Sequence, residues 1–236
     1  MPEGLLGLVI AMGAFIGTHF AMSHPLRARM VRALGPVPFR AVYTVISIAT
    51  LSAVAITFSR VPAAPALWNG YAAFPWVVAS GLTLASTALF LASLFGNPAL
   101  PGARVAGLSA VLPKGVYRVT RHPMMWSFAL WALAHFLVAP TPRSFVLTGG
   151  IAFLALWGAR MQDRKKAALH GQDWRSWVKR TTYWPDLSNL GKLGVMWFVA
   201  LLPWLAITAA HMPLGRIPAG LWKPIYEMRH PGGARR

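Results

Sequence analysis

Cysteine is absent from the 236 residues, and only five are acidic against 23 lysines and arginines. The first absence excludes disulfides, thiolate metal ligands and a thiol nucleophile. The second argues against a proton-relay transporter, where acids inside the membrane are usual. The chain also has no paired carboxylates, no Ser-His-Asp order and no Gly-rich phosphate loop. Charged residues of both signs make up 12% of the chain, against roughly 25% in an ordinary soluble domain.

Apolar side chains fill that gap. The chain is 56% hydrophobic and has a mean hydropathy of +0.50, which points to an all-α, polytopic transmembrane helix bundle. Runs of roughly 17–25 mainly apolar residues mark spans. About six are expected, over Leu5–Met22, Ala41–Phe58, Phe74–Phe95, Pro123–Ala139, Ser144–Ala159 and Val195–His211. The Pro140-Thr141-Pro142 link makes the fourth and fifth a tight antiparallel hairpin. Residues 1–212 form one transmembrane domain and 213–236 a C-terminal tail. The first span is expected to be retained, because only Glu3 precedes it and the positive charges follow it.

The formal net charge of +18 does not imply nucleic acid, since the basic residues lie between apolar spans. Anionic lipid headgroups and the positive-inside bias account for them. The loop after span one holds Arg27, Arg29, Arg32 and Arg40. The loop after span three holds Arg104, Lys114, Arg118 and Arg121. The loop after span five holds Arg160, Arg164, Lys165, Lys166, Arg175, Lys179, Arg180 and Lys192. The opposite short loops hold only Arg60 and Arg143. Both termini are then expected outside and the basic loops in the cytoplasm. Arg216, Lys223, Arg229, Arg235 and Arg236 in the tail run against that bias.

The richest stretch is GVYRVTRHPMMWSFALWALAHFLVA, residues 115–139. Pro123 takes the favoured first helical position behind His122. The free N–H groups there, with Arg118 and Arg121, make an anion site for a lipid phosphate or for a cofactor phosphate or carboxylate. Ser127, Trp131 and His135 share one helix face, an aromatic wall with a single nitrogen ligand. His135 is equally read as a helix–helix hydrogen-bonding residue. His122 and His135 lie on opposite faces about 20 Å apart along the axis, so they cannot ligate one metal. His19 lies about a turn from the cytoplasmic end of span one and reads equally as a metal ligand or an interfacial histidine. Tyr43 and Ser47 share a face of span two as packing residues. His24, His170, His211 and His230 read as ordinary surface histidines. Trp174, Trp177 and Trp184 suit an interfacial anchor on a cytoplasmic amphipathic stretch.

At GVYRVTRHPMMWSFALWALAHFL the chain resembles the NnrU family of bacterial integral membrane proteins, to which 15-cis-ζ-carotene isomerase is similar. GTHFAMSHPLRARMVRALGPVPFRAVYTVISIATL and QDRKKAALHGQDWRSWVKRTTYWPD extend the resemblance over roughly residues 5 to 186. The resemblance implies haem b held by two histidines, matched by His19 and by His135 in the W-x-x-x-H motif. It implies an iron centre acting on an apolar polyene-like or gaseous ligand in a bacterial inner membrane. The activity implied is a cis–trans isomerisation, or an accessory role in nitrite and nitric oxide metabolism. The isomerase has a cysteine three residues before its second histidine, where this chain has Ala132. By depth in the membrane, His122 is the geometric rival of His135 as partner to His19. The Y-R-x-x-R-H-P signature is also similar to the isoprenylcysteine and phospholipid methyltransferases, which implies a related bundle and S-adenosylmethionine as the alternative cofactor. Their paired acid is reduced here to Gln162-Asp163.

Overall fold

The computed structural model describes residues 3–62, 64–100, 102–103, 105–215 and 217–229, with the Met212 side chain left aside. Arg104, Arg216, His230, Arg235 and Arg236 lie outside the described residues. The described chain is all-helical. Its helices are α1 (Leu5–Ser23), α2 (Arg27–Leu34), α3 (Pro36–Arg60), α4 (Ala73–Ser93), α5 (Pro123–Val138), α6 (Pro142–Arg180), α7 (Met196–Gly215) and α8 (Trp222–Arg229).

Five of these are long and apolar enough to cross a membrane: α1, α3, α4, α6 and α7. The fourth expected span is the short apolar helix α5, 16 residues long. Local chemistry sets the boundaries. Gly35, at φ 83°, separates α2 from α3, and Pro36 then opens α3. Thr141 caps α6 by accepting the Ser144 N–H at its hydroxyl oxygen, with Pro142 at the first position. The expected hairpin between α5 and α6 is therefore present. α6 joins the fifth span and the amphipathic stretch across a kink at Gly171, where φ is 52° and ψ −121°. The chain turns back there, since the Arg121 side chain reaches both Asp163 before the kink and the Thr181 carbonyl after it. At 1.5 Å per residue the part before the kink alone exceeds the hydrocarbon thickness of about 30 Å, so its charged end beyond Ala159 stands clear of the spanning part.

The helices pack in the order α3, α1, α6, α5, α4, α7. α1 and α3 close on α6 through Leu8, Met12, Phe15, Val54, Leu147 and Ile151. α4 and α5 meet through Ala88, Leu89, Ala92, Trp126 and Ala129. Small side chains let these two backbones approach closely, as is usual where lipid supplies no hydrophobic drive between helices. Ser86 adds a hydrogen bond to the Ser127 carbonyl at 2.8 Å. Large apolar side chains such as Ile10, Val45, Ile48, Phe198 and Leu202 face outward, as a lipid-embedded surface requires.

A separate small core sits beyond the spanning helices. Trp174 and Trp177, 0% and 2% exposed, pack there with Ala99, Val105 and Leu108. This corrects their reading as interfacial anchors, since they hold the layer beyond the spans together. Trp184 is 62% exposed. On the opposite side, the segment after α3 seals the end of α5. Trp68 donates to the Leu137 carbonyl and Leu67 N–H to the Pro140 carbonyl. The tail folds back, with Trp76 donating to the Gly220 carbonyl and Trp222 to the Leu205 carbonyl.

Two glycines separate rigid from soft packing. A Cβ on Gly70 would run into the Val138 backbone, whereas one on Gly150 would meet only the flexible Met12 side chain. Gly70→Ala is expected to cost about 1–3 kcal/mol of stability, and Gly150→Ala less, because a methionine repacks and a carbonyl does not. Thermal unfolding in detergent micelles checks the order; the reverse ranking would show that the loop is not seated on α5.

Candidate functional site

The basic motif before α5 does not form an open anion site. Arg121 donates to the same Asp163 oxygen, Oδ2, from Nε at 2.9 Å and Nη2 at 2.7 Å. His122 Nε2 lies 2.9 Å from Asp163 Oδ1. The carboxylate accepts both, so the chain's own acid, reaching over from α6, takes the place expected for a cofactor phosphate or carboxylate. Burial pushes the Asp163 carboxyl up, but the hydrogen bonds from His122 and Arg121 outweigh it and hold it below its ordinary value. Arg118 is exposed and takes no part. The segment after α6 locks the same corner. Trp126 donates to the Tyr183 carbonyl at 2.7 Å, and Arg121 N–H to the Thr182 carbonyl at 2.9 Å. The guanidinium groups of Arg121 and Arg160 lie 5.5 and 5.6 Å from the Tyr183 ring centre. His122, 1% exposed, keeps a buried Nδ1 with no partner. Its other nitrogen is held by Asp163, and its ring contact is with Tyr183 at 5.8 Å rather than with His19.

A cavity of about 140 Å³ lies between α4, α5 and α7. Trp131, His135, Trp204 and His211 supply its large side chains, and Ala79, Ala134, Thr83 and Thr208 its small ones. His135 stacks on Trp131, with ring centroids 4.1 Å apart, and meets the His211 ring at 5.8 Å. Reading His211 as a surface residue missed this partner. The two positions are 76 residues apart in the sequence, and only the fold pairs them. No signal along the chain would have found it.

His19 stands elsewhere. Its ring meets Phe15 at 4.5 Å and Tyr43 of α3 at 5.4 Å, and its Nδ1 bonds the Phe15 carbonyl at 3.1 Å. α6 packs between α1 and α5, so His19 and His135 share neither a ring contact nor a hydrogen-bond partner. For haem b the donor chemistry is suitable, because each ring anchors its Nδ1–H on a carbonyl and leaves a lone pair on Nε2. The placement is not, because the two rings do not flank one space. The cavity beside His135 is also well below the roughly 300–1,000 Å³ of small-molecule sites, too little for a porphyrin. Among the described residues no group of three or more His, Asp or Glu forms a metal cluster.

Comparison with known proteins adds the relationship. The family model described as NnrU protein matches residues 7–219. The chloroplastic 15-cis-zeta-carotene isomerase of Arabidopsis thaliana is 36% identical over 101 residues, which is 40% of this chain and 27% of that protein. The match therefore spans about a quarter of that relative's length. No solved structure matches.

The Asp163 knot is open to a direct test. Asp163→Ala leaves Arg121 and His122 buried without their acceptor, and breaking such a buried pair typically costs about 3–5 kcal/mol. The expected outcome is a large fall in unfolding temperature in detergent, partly recovered in Asp163→Asn, which still accepts a hydrogen bond. The lowered carboxyl gives the pH sign. The contribution is present above the unfolded carboxylate value and is lost as pH falls through the folded one. An Asp163→Ala protein as stable as wild type at neutral pH would remove the knot from the account.

Proposed function

The chain belongs to the NnrU family, and from that premise we propose that it is a membrane-embedded cis–trans isomerase acting on an apolar polyene. The observation that carries this reading is the wall of the cavity between α4, α5 and α7. Two indole rings, Trp131 and Trp204, border a space lined also by His135, His211, aliphatic side chains such as Val138 and Ile207, alanines and hydroxyls already bonded to carbonyls. Flat apolar π-faces suit a conjugated hydrocarbon. The volume adds selectivity, because an apolar cavity of about 150 Å³ is known to take one benzene. About 140 Å³ therefore admits a segment of about six carbons, one double bond with its neighbours. The rest of a long polyene would lie along the lipid-facing side. The relative named as a carotene isomerase supports this substrate class. We take the membrane to be the bacterial inner membrane, with the basic loops on its cytoplasmic side.

The roles follow from position. Trp131 and Trp204 hold the chain flat, and Ala79 and Ala134 set the width of the slot. His135 presents a ring nitrogen to the bound segment. Haem b, expected from the resemblance, carries no step here because the cavity does not accommodate its ring. The accessory role in nitrite and nitric oxide metabolism is a second reading favoured by the same small volume, which suits a diatomic gas. Methyl transfer from S-adenosylmethionine loses its anchor, since Arg121 is bound to Asp163.

The test uses purified protein in lipid nanodiscs with poly-cis carotenes, followed by chromatography of the isomers. Conversion at one double bond is expected. Ala134→Leu should abolish it by filling the slot, while Ala41→Leu on the exposed face of α3 should not. Wild-type protein that leaves the isomer ratio unchanged, or undiminished turnover in Ala134→Leu, overturns the reading.

A further inference from the structure

Of the two guanidinium groups that lie on the Tyr183 ring, only one is neutralised. Arg121, 5.5 Å from the ring centre, is paired with Asp163. Arg160, at 5.6 Å, is exposed and forms no ion pair among the described residues. The chain has no acid to spare for it. Asp163, one turn further along α6, is filled by Arg121 and His122. Asp173 accepts from Gly107 and Ser109, Asp186 from Ser188, and Glu227 pairs with Lys223. Glu3 adjoins Gly4, which lies against Val61 at the other end of the bundle. Whatever answers the charge of Arg160 therefore comes from outside the chain.

A groove of about 260 Å³ opens beside this guanidinium, nearly twice the volume of the cavity at His135. Arg160 lines it, with Phe153, Leu156 and Trp157 of α6 and with Tyr183 and Trp184 of the segment that follows α6. The rings are held in place. Phe153 and Trp157 stack with planes 10° apart, and Trp184 leans on Trp126 of α5 at 5.1 Å. The Tyr183 hydroxyl donates to the Leu156 carbonyl at 2.6 Å. Phe153, Trp157 and Trp184 all keep an exposed face. Arg160 marks the end of the spanning part of α6, and at 1.5 Å per residue Phe153 lies about 10 Å deeper. A cation at the rim with aromatic rings below it is the profile of a membrane interface, where such rings sit at headgroup level.

We propose that this groove holds one anionic phospholipid, with its phosphodiester on Arg160 and the upper part of one acyl chain along Trp157 and Phe153. Charge and apolarity select this occupant together. The guanidinium fork suits phosphate oxygens, and the exposed rings suit hydrocarbon. A free phosphate ion leaves the rings bare, and an uncharged lipid leaves Arg160 unpaired. A headgroup that adds an ammonium gains nothing, because no carboxylate lines the groove and the chain carries a net charge of +18. The groove joins α6 to the segment that already bonds α5 through Trp126 and Tyr183. The lipid is therefore a clasp across the corner that Asp163 ties from inside. This site stands apart from the isomerase reading, since none of the groove residues lines the cavity between α4, α5 and α7.

The experiment mixes the purified full chain, in a neutral detergent, with phosphatidylglycerol or phosphatidylcholine and counts retained lipids by native mass spectrometry. Wild type should retain one phosphatidylglycerol in preference to phosphatidylcholine. Arg160→Gln should weaken that retention at least about fivefold, the worth of one basic residue at an anionic surface. Arg160→Lys should recover most of it, which separates lost charge from lost packing on Tyr183. Trp157→Ala should weaken retention as well, and Arg118→Gln, an exposed arginine outside the groove, should not. Added phosphatidylglycerol should raise the unfolding temperature of wild type more than that of Arg160→Gln, because a ligand of the native state stabilises it. Four results overturn the proposal: equal retention of phosphatidylcholine, full retention in Arg160→Gln, an equal loss in Arg118→Gln, or displacement of the lipid by inorganic phosphate.

Discussion

Inside a bilayer a polar hydrogen with no partner costs several kcal/mol, and water is not there to take it. Most hydroxyls of the described spans meet that constraint within their own helix, Ser86 meets it across to α5, and Ser47 is left without a partner. Thr18, Thr50, Thr57, Thr83, Thr87, Thr148 and Thr208 all donate to the carbonyl four residues back. The histidines of the spans follow the same rule: His19, His135 and His211 bond the carbonyls of Phe15, Trp131 and Ile207. For a hydroxyl the result is silence. For an imidazole it is directional, because consuming the Nδ1 hydrogen fixes the tautomer and turns the Nε2 lone pair outward. The same saving of hydrogens that keeps the helices stable in lipid therefore arms their histidines.

The scarcity of acid has a parallel consequence outside the spanning segments. Each described carboxylate beyond Glu3 ties the chain to itself. Asp163 joins the start of α5 to α6 through Arg121 and His122. Asp173 accepts the backbone N–H groups of Gly107 and Ser109, fixing the loop between α4 and α5. Asp186 accepts from Ser188 and Asn189, and Glu227 pairs with Lys223. With so many cations and so few anions, a carboxylate is more useful as a shared acceptor than as a surface charge. One guanidinium and one imidazole share Asp163 in a mostly buried corner, so the knot matters less for its own attraction than for what its loss would leave unpaired.

These two economies explain which features could be read along the chain. Pro123 behind His122, the Thr141 cap with Pro142, and the apolar runs act over a few residues, so the helices and the α5–α6 hairpin were legible. The pairing of His135 with Trp131 was legible because the two share a helix face. The second partner of His135 was not, since His211 near the end of α7 looks like a terminal polar residue until α4 brings α5 and α7 together. Asp163 was hidden for the same reason. Arg121 and His122 announce an anion, and nothing nearby in sequence says that the anion lies 41 residues on, in α6. Trp174 and Trp177 have the spacing of an anchor, but the loop carrying Ala99, Val105 and Leu108 returns to cover them.

The shortness of α5 ties the cavity to its surroundings. At 16 residues it is about 24 Å long, less than the roughly 30 Å it would need to cross alone. The missing length is made up by residues 64–72, whose Trp68 and Leu67 bond the last carbonyls around Leu137 and Pro140. Gly70 is pressed so closely on Val138 that only a hydrogen fits there. His135 therefore sits one turn beneath a sealed helix end rather than at the middle of the bilayer. His211, on α7 beside the returning tail, lies at the same level. Trp204 of α7 donates to the Thr83 hydroxyl of α4 at 3.0 Å, so the two helices that flank the cavity are tied together at that level.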